Sequence, residues 1–338
     1  MMQNFWEKLK KPILCLAPMA DVTDAAFRQI IAKYGKPDIF WTEFVSADGL
    51  AHSLAREKLL IDLKYSENER PIVAQIFGSK MENIRQASML CKELNFDGID
   101  INMGCPDKSI EKQCAGAAMM KDPKLAREII RAAKEGGGGL PISVKTRIGY
   151  NKNEIEIWIR ELLSEDLAAL TVHLRTRKEM SDVPAHWEVM KRIVEIRDEM
   201  KVGTLILGNG DILNLEEAKQ KVKETGCDGV MLGRAIFGNP FLFTNKNVLS
   251  EVEGQIPLDS TRDEMYVPSI SEKLRVMVEH TKLFEKILGG YKNFAIMKKH
   301  YKAYVNGFDD AKELRMKLME AENAQQVEDI TSNFLKEI

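Results

Sequence analysis

Eight short apolar runs recur along the first two thirds of the chain, and segments with helical spacing separate them. Most runs are apolar at nearly every position, which is typical of strands that are covered on both faces. Between the runs, apolar residues return at helical intervals, as in 84–90 and 155–163. The pattern predicts eight strand–helix units, whose strands span residues 13–17, 39–43, 72–77, 98–102, 142–146, 170–173, 204–207 and 229–232.

Strands that alternate with helices pair in parallel, because each connection has to cross from one end of the sheet to the other. Eight such units predict a closed (β/α)8 TIM barrel better than an open doubly wound sheet, and we expect this α/β barrel to occupy residues 1–248. A polar segment with proline and glycine, 249–269, predicts a linker. Residues 270–338 have amphipathic helical spacing, broken at Gly289-Gly290 and Asn306-Gly307, which predicts a C-terminal all-α helical domain.

The composition is that of an ordinary soluble globular protein, with 44% hydrophobic and 30% charged residues among 338. No apolar run reaches the ~20 residues that span a bilayer, and the N-terminus lacks the features of a signal peptide. Five cysteines without a CxxC pair argue against a disulfide framework and a structural zinc site. We therefore expect a cytoplasmic monomer with no membrane partner and no metal.

The net charge of −2 does not indicate a nucleic-acid partner. Residues 273–304 nevertheless contain eight basic residues against only Glu279 and Glu285. Overall charge therefore neither supports nor excludes RNA as a partner.

Polar or unusual residues gather at the predicted carboxyl ends of all eight strands. In a (β/α)8 barrel these ends converge on one mouth, where active sites lie. Any one of these residues alone is best explained as a loop residue that caps a helix, but eight such strand ends together indicate a site. They are Pro18 with Met19, Glu43, Gln75, Asn102 with Cys105, Lys145 with Arg147, His173 with Arg175, Asn209-Gly210-Asp211, and Gly233 with Arg234.

The last two strand ends predict a phosphate site. Asn209-Gly210-Asp211 and Gly233-Arg234 fall in the loops after the seventh and eighth strands, where this fold usually binds phosphate. Arg234 offers a planar fork of donors that matches phosphate oxygens. The alternative is that both glycines only serve turns, and the fold favours phosphate binding.

Lys145, Gln75 and His173 are expected to project into the same cavity, where a buried cation stabilises an anionic ligand. Cys105 lies just past the fourth strand and could be a nucleophile, a metal ligand, a proton donor or inert. No histidines surround it in sequence, which weakens the metal interpretation. We expect packing or structural roles for the other cysteines, Cys15, Cys91, Cys114 and Cys227.

Several motifs resemble those of the tRNA-dihydrouridine synthase family, in the family's order and spacing. The two most specific are Asn102-Met103-Gly104-Cys105-Pro106 and His173-Leu174-Arg175-Thr176. The resemblance covers the whole chain, including Lys298-Lys299-His300 and Leu314-Arg315 in the tail. The other motifs are Leu16-Ala17-Pro18-Met19-Ala20 with Thr23 and Phe27-Arg28, Lys145-Thr146-Arg147-Ile148-Gly149, Asn209-Gly210-Asp211, and Gly233-Arg234 with Gly238-Asn239-Pro240.

This resemblance implies an NADPH- and FMN-dependent enzyme that reduces uridines in tRNA to dihydrouridine. Cys105 would be the general acid that protonates C5 of the uracil, after hydride from N5 of reduced FMN has reached C6. Asn102 and Arg175 would hold the uracil or the RNA backbone. Around FMN the resemblance implies Pro18, Met19 and Ala20 beside the isoalloxazine, Gln75, Lys145 and His173 at the ring and its chain, and Asn209, Gly210, Asp211, Gly233 and Arg234 at the ribityl group and phosphate.

The helical tail would then be a tRNA-binding domain. Phosphate contacts are expected from Lys298 and Lys299, together with Lys292 and Lys302. Stacking on loop nucleotides is expected from the interleaved rings of Tyr291, His300, Tyr301 and Tyr304. A solvated basic helix face explains the same residues equally well, and the resemblance favours RNA binding.

One loop departs from the family pattern. Leu174 stands where the family has glycine or alanine, and segment 178–187 keeps Trp187 but lacks the expected tyrosine and the acidic residue before the tryptophan. We expect this loop to meet RNA differently. Two other functions compete: an FMN-dependent small-molecule reductase of the dihydroorotate or dihydropyrimidine dehydrogenase type, which needs no lysine-rich tail, and a catalytically silent RNA-binding barrel, against which Cys105 and Lys145 argue.

Overall fold

The computed structural model describes residues 4–244 and 266–337, so that most of the predicted linker lies outside the described residues. The described residues form two compact units. The first falls within Met1–Ala20, Asp38–Tyr65 and Arg70–Gly233, and the second within Asp21–Pro37, Ser66–Glu69 and Arg234–Ile338. Of the helices described, none is both long and apolar enough to cross a bilayer.

The first unit is a parallel barrel. Its strands are β1 (Ile13–Leu16), β2 (Phe40–Trp41), β3 (Val45–Ser46), β4 (Ile72–Phe77), β5 (Gly98–Met103), β6 (Ile142–Arg147), β7 (Ala169–His173), β8 (Leu205–Asn209) and β9 (Gly229–Leu232). Eight of them pair in the order β1-β9-β8-β7-β6-β5-β4-β2, and β3 pairs with the far end of β4. A parallel bridge between Cys15 and Ile39, next to β2, closes the ring.

Helices connect most of the strands and cover the barrel. They are α2 (Ala47–Ala51), α3 (Ser53–Leu59), α4 (Met81–Glu93), α5 (Lys108–Glu111), α6 (Pro123–Gly137), α7 (Ile155–Leu163), α8 (Met190–Met200) and α9 (Leu215–Thr225), whereas α1 (Ala25–Tyr34) belongs to the second unit. Local sequence sets their ends. In α6, for example, Asp122 accepts a hydrogen bond from the Leu125 N–H at 3.0 Å, Pro123 occupies the first turn, and Gly138 ends the helix with a φ of 52°.

The barrel interior changes character along the strands. Side chains alternate along a strand, so every second residue of each strand points inward. Toward the amino ends these residues form an apolar layer, which includes Cys15, Trp41, Val73, Ala169, Leu207 and Met231. Toward the carboxyl ends they are polar, and this end carries the candidate site.

The predicted barrel is confirmed, and each of the eight predicted strands overlaps an observed one. Two strand ends differ by two residues, and the other differences are of one residue. The second strand is shorter than predicted and spans only Phe40–Trp41. It is followed by a short strand, Val45–Ser46, that was not predicted. The seventh predicted strand runs two residues further, so Asn209 ends β8 and does not lie in the following loop.

The second unit is helical and combines α1 with α10 (Ile270–Leu288), α11 (Met297–Tyr304), α12 (Ala311–Glu320) and α13 (Ala324–Glu337). The two predicted helix breaks separate α10 from α11 and α11 from α12. In its core, the Phe27 ring stacks on His280 with centroids 4.8 Å apart and meets His300 edge-on at 4.9 Å. Arg28 forms a fully buried ion pair with Glu69 at 2.6 Å.

Candidate active site at the carboxyl ends of the strands

Strand register brings four predicted site residues to adjacent positions. Asn102 of β5 pairs with Lys145 of β6, and His173 of β7 pairs with Asn209 of β8. Arg147 of β6 pairs with the same His173. Side chains that are far apart in sequence therefore line one arc of the barrel mouth.

The loop after β5 holds Cys105 through the side chain of Asn102. The Asn102 Oδ1 accepts hydrogen bonds from the backbone N–H groups of Gly104 at 3.1 Å and Cys105 at 2.9 Å. From the other side, Gly116 approaches the loop with a φ of 59°, and a Cβ there would lie 2.7 Å from the Cys105 carbonyl oxygen. Two close contacts therefore hold the Cys105 backbone, from which the thiol projects.

The Cys105 thiol is half-buried against an apolar cluster that contains Phe77, Ile110 and Ala115. Burial raises the pKa of this thiol, and the nearby Asp107 carboxylate raises it further, while Lys145 and Arg147 lower it. Because the net shift is upward, the thiol carries its proton at neutral pH.

Gln75 lies below this loop and is completely buried on β4. Its Oε1 accepts a hydrogen bond from Asn102 Nδ2 at 3.0 Å, and its Nε2 donates to Asp100 Oδ2 at 2.6 Å. Gln75 thus connects the Cys105 loop to a buried carboxylate that the sequence did not single out.

Lys145 places a cation in the mouth. Its Nζ donates to the Asn209 Oδ1 at 3.3 Å, and the Asn209 Nδ2 donates to the Met231 carbonyl at 2.8 Å. Within the described residues Asn209 is the one hydrogen-bond acceptor of the ammonium, which leaves it donors for a ligand. Burial, followed by the charge of Arg147, lowers the pKa of Lys145 to about 8.

His173 and Asp211 are held by Arg175, which is 3% exposed. The Arg175 Nη1 donates to the His173 Nε2 at 3.1 Å, its Nε donates to the Val183 carbonyl at 2.6 Å, and its Nη2 pairs with Asp211. Gly210 has a φ of 133°, and a Cβ there would come 3.3 Å from the His173 ring. Arg175 is therefore engaged with protein groups on several sides.

Arg147 joins the loops after β5 and β7. Its Nε donates to the Gly104 carbonyl at 2.8 Å, and its Nη1 donates to the carbonyls of Thr176 at 3.1 Å and Met180 at 2.9 Å. Burial lowers the pKa of this guanidinium to about 10. Arg147 was predicted at a strand end without a role of its own, although its spacing of two from Lys145 puts both on one face of β6.

The loop with the unusual sequence folds back onto the site. Leu174 is fully buried, its N–H donates to the Asn209 carbonyl at 3.0 Å, and its carbonyl accepts from the His186 N–H at 2.7 Å. The Trp187 indole N–H donates to the Gly210 carbonyl at 2.8 Å, and a Cβ at Gly208 would lie 2.5 Å from the Trp187 ring. Leucine at 174 therefore has a packing role.

The segment after β1 lies next to the end of β9. Pro18 is buried, Met19 is half-buried and Ala20 is exposed. The empty Cβ position of Gly233 lies 3.7 Å from the Ala17 Cβ and 3.9 Å from the Met19 Sδ, so the glycine leaves room above the backbone there. In the second unit, Arg234 is exposed and begins a short 3-10 helix, Arg234–Ile236.

On α11, Lys299 and Lys302 are exposed and Lys298 is half-buried. The expected stacking by the neighbouring aromatic residues is wrong for three of them: His300 and Tyr301 have no exposed surface and Tyr304 is 1% exposed. These side chains occupy the inner face of the amphipathic helix, where the His300 ring packs on Phe27 and His280 and the Tyr304 ring packs on His280. Tyr291, in contrast, is 68% exposed.

The remaining cysteines lie outside the candidate site. Cys15, Cys91 and Cys227 are buried, as expected, whereas Cys114 is exposed with a φ of 57°. In the described parts of the chain, no group of three or more histidine, cysteine or carboxylate side chains is placed to hold a metal ion. A cavity of about 540 Å³ lies at the opposite end of the barrel, lined by residues such as Trp6, Lys134 and Ile142.

A closed parallel barrel with ionisable side chains at the carboxyl ends of its strands has the architecture of a (β/α)8 enzyme. The sequence profile of the family described as "Dihydrouridine synthase (Dus)" matches residues 15–338. The chain belongs to this family, which confirms the resemblance found in its motifs.

Individual relatives cover almost the whole chain. A "Probable tRNA-dihydrouridine synthase" of Staphylococcus aureus (strain COL) is 38% identical over 336 residues, 99% of this chain and 96% of that protein. A "Probable tRNA-dihydrouridine synthase 2" of Bacillus subtilis (strain 168) is 38% identical over 99% of this chain and 97% of that protein. The solved structure of histamine dehydrogenase from Rhizobium sp. 4-9 matches with a TM-score of 0.50 and 13% identity, over 72% of this chain and 46% of that one, and shows the fold alone.

Proposed function

We propose that this protein reduces the C5=C6 bond of uridines in tRNA to 5,6-dihydrouridine, with FMN as its cofactor and NADPH as the source of electrons. The observation that carries the proposal is the Cys105 loop, whose backbone is held by Asn102 on the strand next to Lys145, in a chain of the dihydrouridine synthase family.

The residues at the mouth fit a flavin. Lys145 combines a positive charge with unused donors, which suits the electron-rich edge of the ring system. Gly233 carries no side chain beside Ala17 and Met19, so a ligand can approach its backbone closely. In the proposed site, Pro18, Met19 and Ala20 line the ring, Gln75, Lys145 and His173 contact the ring and its chain, and Asn209, Gly210, Asp211, Gly233 and Arg234 serve the ribityl group and phosphate.

The proposed chemistry requires a hydride and a proton. A reduced flavin supplies the hydride. In uracil, the C5=C6 bond is conjugated with the C4 carbonyl, so hydride addition at C6 leaves negative charge at C5. Cys105 retains its proton at neutral pH because burial raises its pKa, and it donates that proton to C5. Asn102 keeps the Cys105 backbone in place, and Arg175 keeps His173 and Asp211 in place.

The RNA contacts extend beyond the barrel in this proposal. A uracil inside a tRNA has to leave its stack before it can enter the mouth. Residues 270–338 act as the tRNA-binding part, and Lys298, Lys299 and Lys302 on α11 contact phosphates. Of the four rings predicted to stack, the exposed Tyr291 keeps that role in the proposal.

The decisive experiment incubates purified protein with unmodified tRNA and NADPH and measures dihydrouridine in the RNA. Parallel reactions contain free uracil or orotate in place of tRNA. Dihydrouridine in tRNA alone supports the proposal. Turnover of the free pyrimidines with tRNA unchanged would replace it with a small-molecule reductase, and a purified protein without flavin absorbance would indicate a silent RNA-binding barrel.

A further inference from the structure

A chain of hydrogen bonds connects a buried carboxylate to the loop that carries Cys105. Asp100 accepts from Gln75 at 2.6 Å, Gln75 accepts from Asn102 at 3.0 Å, and Asn102 accepts from the loop N–H groups. Asp100 and Gln75 have no exposed surface, and Asn102 is 7% exposed. Because water does not reach Asp100 or Gln75 and has little access to Asn102, each hydrogen bond strongly constrains its partners.

The direction of this chain matters, because a side-chain amide has a donor end and an acceptor end. An ionised carboxylate accepts only, so Gln75 has to turn its nitrogen toward Asp100. The oxygen of Gln75 then faces Asn102, which has to donate a hydrogen bond from its own amide nitrogen. Only in that orientation does the oxygen of Asn102 face the N–H groups of Gly104 and Cys105.

We propose that Asp100 is a positioning residue, whose carboxylate sets the orientation of the Gln75 and Asn102 amides and thereby the place of Cys105. We call Asp100, Gln75 and Asn102 the polarity relay. The catalytic consequence rests on the proposed function, whereas the relay itself stands on the hydrogen bonds alone.

Two further observations support an ionised, fixed Asp100. Its second oxygen accepts from the Ser143 hydroxyl at 2.5 Å, so both oxygens are occupied and the carboxylate cannot rotate freely. Burial raises the pKa of Asp100 to about 6, against the lowering effect of hydrogen bonds from Ser143 and Gln75, so the carboxylate is ionised at pH 8.

Reversing the relay by substitution tests it. Asn102→Asp leaves Gln75 between two carboxylates, both of which only accept hydrogen bonds. The side-chain oxygen of Gln75, itself an acceptor, then has to face one of them. Asp100→Asn alone should disturb the hydrogen-bond chain little, because the new amide nitrogen can turn to the Ser143 hydroxyl while the amide oxygen still accepts from Gln75. In the double variant, Asp100→Asn with Asn102→Asp, the amide introduced at position 100 can donate its nitrogen to a reversed Gln75. Gln75 then donates its own nitrogen to the carboxylate introduced at position 102, so every member has a partner again.

The readout is the rate at which iodoacetamide alkylates Cys105 in the full-length protein at pH 8, followed by peptide mass spectrometry. The exposed Cys114 in the same molecule is the internal reference. We expect Asn102→Asp to speed alkylation of Cys105 about tenfold relative to Cys114. A change of this size corresponds to the loss of one buried hydrogen bond that holds the loop. Adding Asp100→Asn should return the rate to within about twofold of that of Asp100→Asn alone.

The single variant Asn102→Asp and the double variant both carry a carboxylate at position 102. A slower alkylation in the double variant therefore indicates a restored relay, whereas two separate structural defects would add to each other. A double variant that is alkylated as fast as Asn102→Asp would overturn the proposal. If Asn102→Asp does not fold, Gln75→Glu with and without Asp100→Asn gives the same test in urea unfolding. Gln75→Glu alone places a second carboxylate beside Asp100, and adding Asp100→Asn should restore stability. A double variant no more stable than Gln75→Glu would overturn the proposal.

The same proteins are assayed for dihydrouridine formation, which keeps the two proposals separate. Native protein without tRNA activity would remove the proposed function and leave the alkylation result intact. If native protein is active, the single variant Asn102→Asp should lose turnover number by a larger factor than it raises the KM for tRNA.

Discussion

The ammonium of Lys145 on β6 lies 3.3 Å from the side-chain oxygen of Asn209 on β8. The two strands are not neighbours, since β7 lies between them, so the contact spans the interior of the barrel mouth. The Lys145 ammonium can therefore contact a ligand that fills the mouth. Because the pKa of Lys145 is about 8, its positive charge depends on pH in the neutral to mildly alkaline range.

FMN affinity should weaken as pH rises through about 8, because Lys145 loses its proton there. The lowered pKa means that the cation is present below this pH and absent above it. Fluorescence titrations of FMN from pH 6.5 to 9.5 measure the effect, and Lys145→Met should flatten the profile. Lys134→Met, at the opposite end of the barrel, is the matched control and should retain the native profile. A native profile without this step contradicts the assignment of Lys145.

Cys105→Ala should retain bound flavin and lower dihydrouridine formation by about 100-fold or more, the usual effect of losing a general acid. Single-turnover assays on unmodified tRNA measure it. Cys114→Ala removes an exposed thiol nine residues downstream and should have no effect. Undiminished turnover in Cys105→Ala would remove Cys105 from the mechanism.

Arg234→Ala should reduce the FMN content of the purified protein, because the proposed phosphate site loses its guanidinium. Flavin absorbance per protein measures the occupancy. Arg85→Ala, in which the lost arginine bonds Glu135 on the outer helices, serves as the control. Full flavin occupancy in Arg234→Ala argues against the phosphate site.

The double substitution Lys298→Glu with Lys299→Glu should weaken tRNA binding and make it less dependent on salt. Each lost phosphate contact lowers the slope of log K against log salt by about 1. Lys312→Glu with Lys317→Glu changes two exposed lysines of α12 and is the charge-matched control. Equal loss in both pairs would show that only overall charge matters.

The helical unit should lose stability as pH falls below about 6.5, the ordinary pKa of histidine. Burial and the neighbouring His300 push the pKa of His280 well down, and burial lowers the pKa of His300 to about 3. A lowered pKa means that the stabilising neutral form is lost on acidification, at about 1.4 kcal/mol per pH unit for each histidine. Urea unfolding between pH 7 and 4 should show this slope, and His300→Gln should reduce it by about half.

The barrel was predictable because its strands are buried on both faces and alternate with helices. The register was not, since no local pattern states that Asn102 pairs with Lys145 or that His173 pairs with Asn209. Cys105, Lys145 and His173 could be placed at the mouth from their positions at strand ends, and the structure does bring them to neighbouring strands.

Long-range polar contacts account for most of what the sequence did not reveal. Asp100 stands in an apolar strand without a motif that marks its role, and its partners Gln75 and Ser143 come from the two adjacent strands. The lysines of α11 predicted an exposed basic surface, but His300 and Tyr301 lie on the inner face of the same helix and are buried. A helical wheel of that segment separates the two faces.

The Trp187 indole, bonded to the Gly210 carbonyl and seated on Gly208, also gives the protein an optical reporter. Only part of this ring is exposed, at the edge of the region proposed to receive the flavin chain. An absorbing molecule that arrives there will accept excitation energy from the indole. Intrinsic emission can therefore time the arrival and departure of ligands without any attached dye.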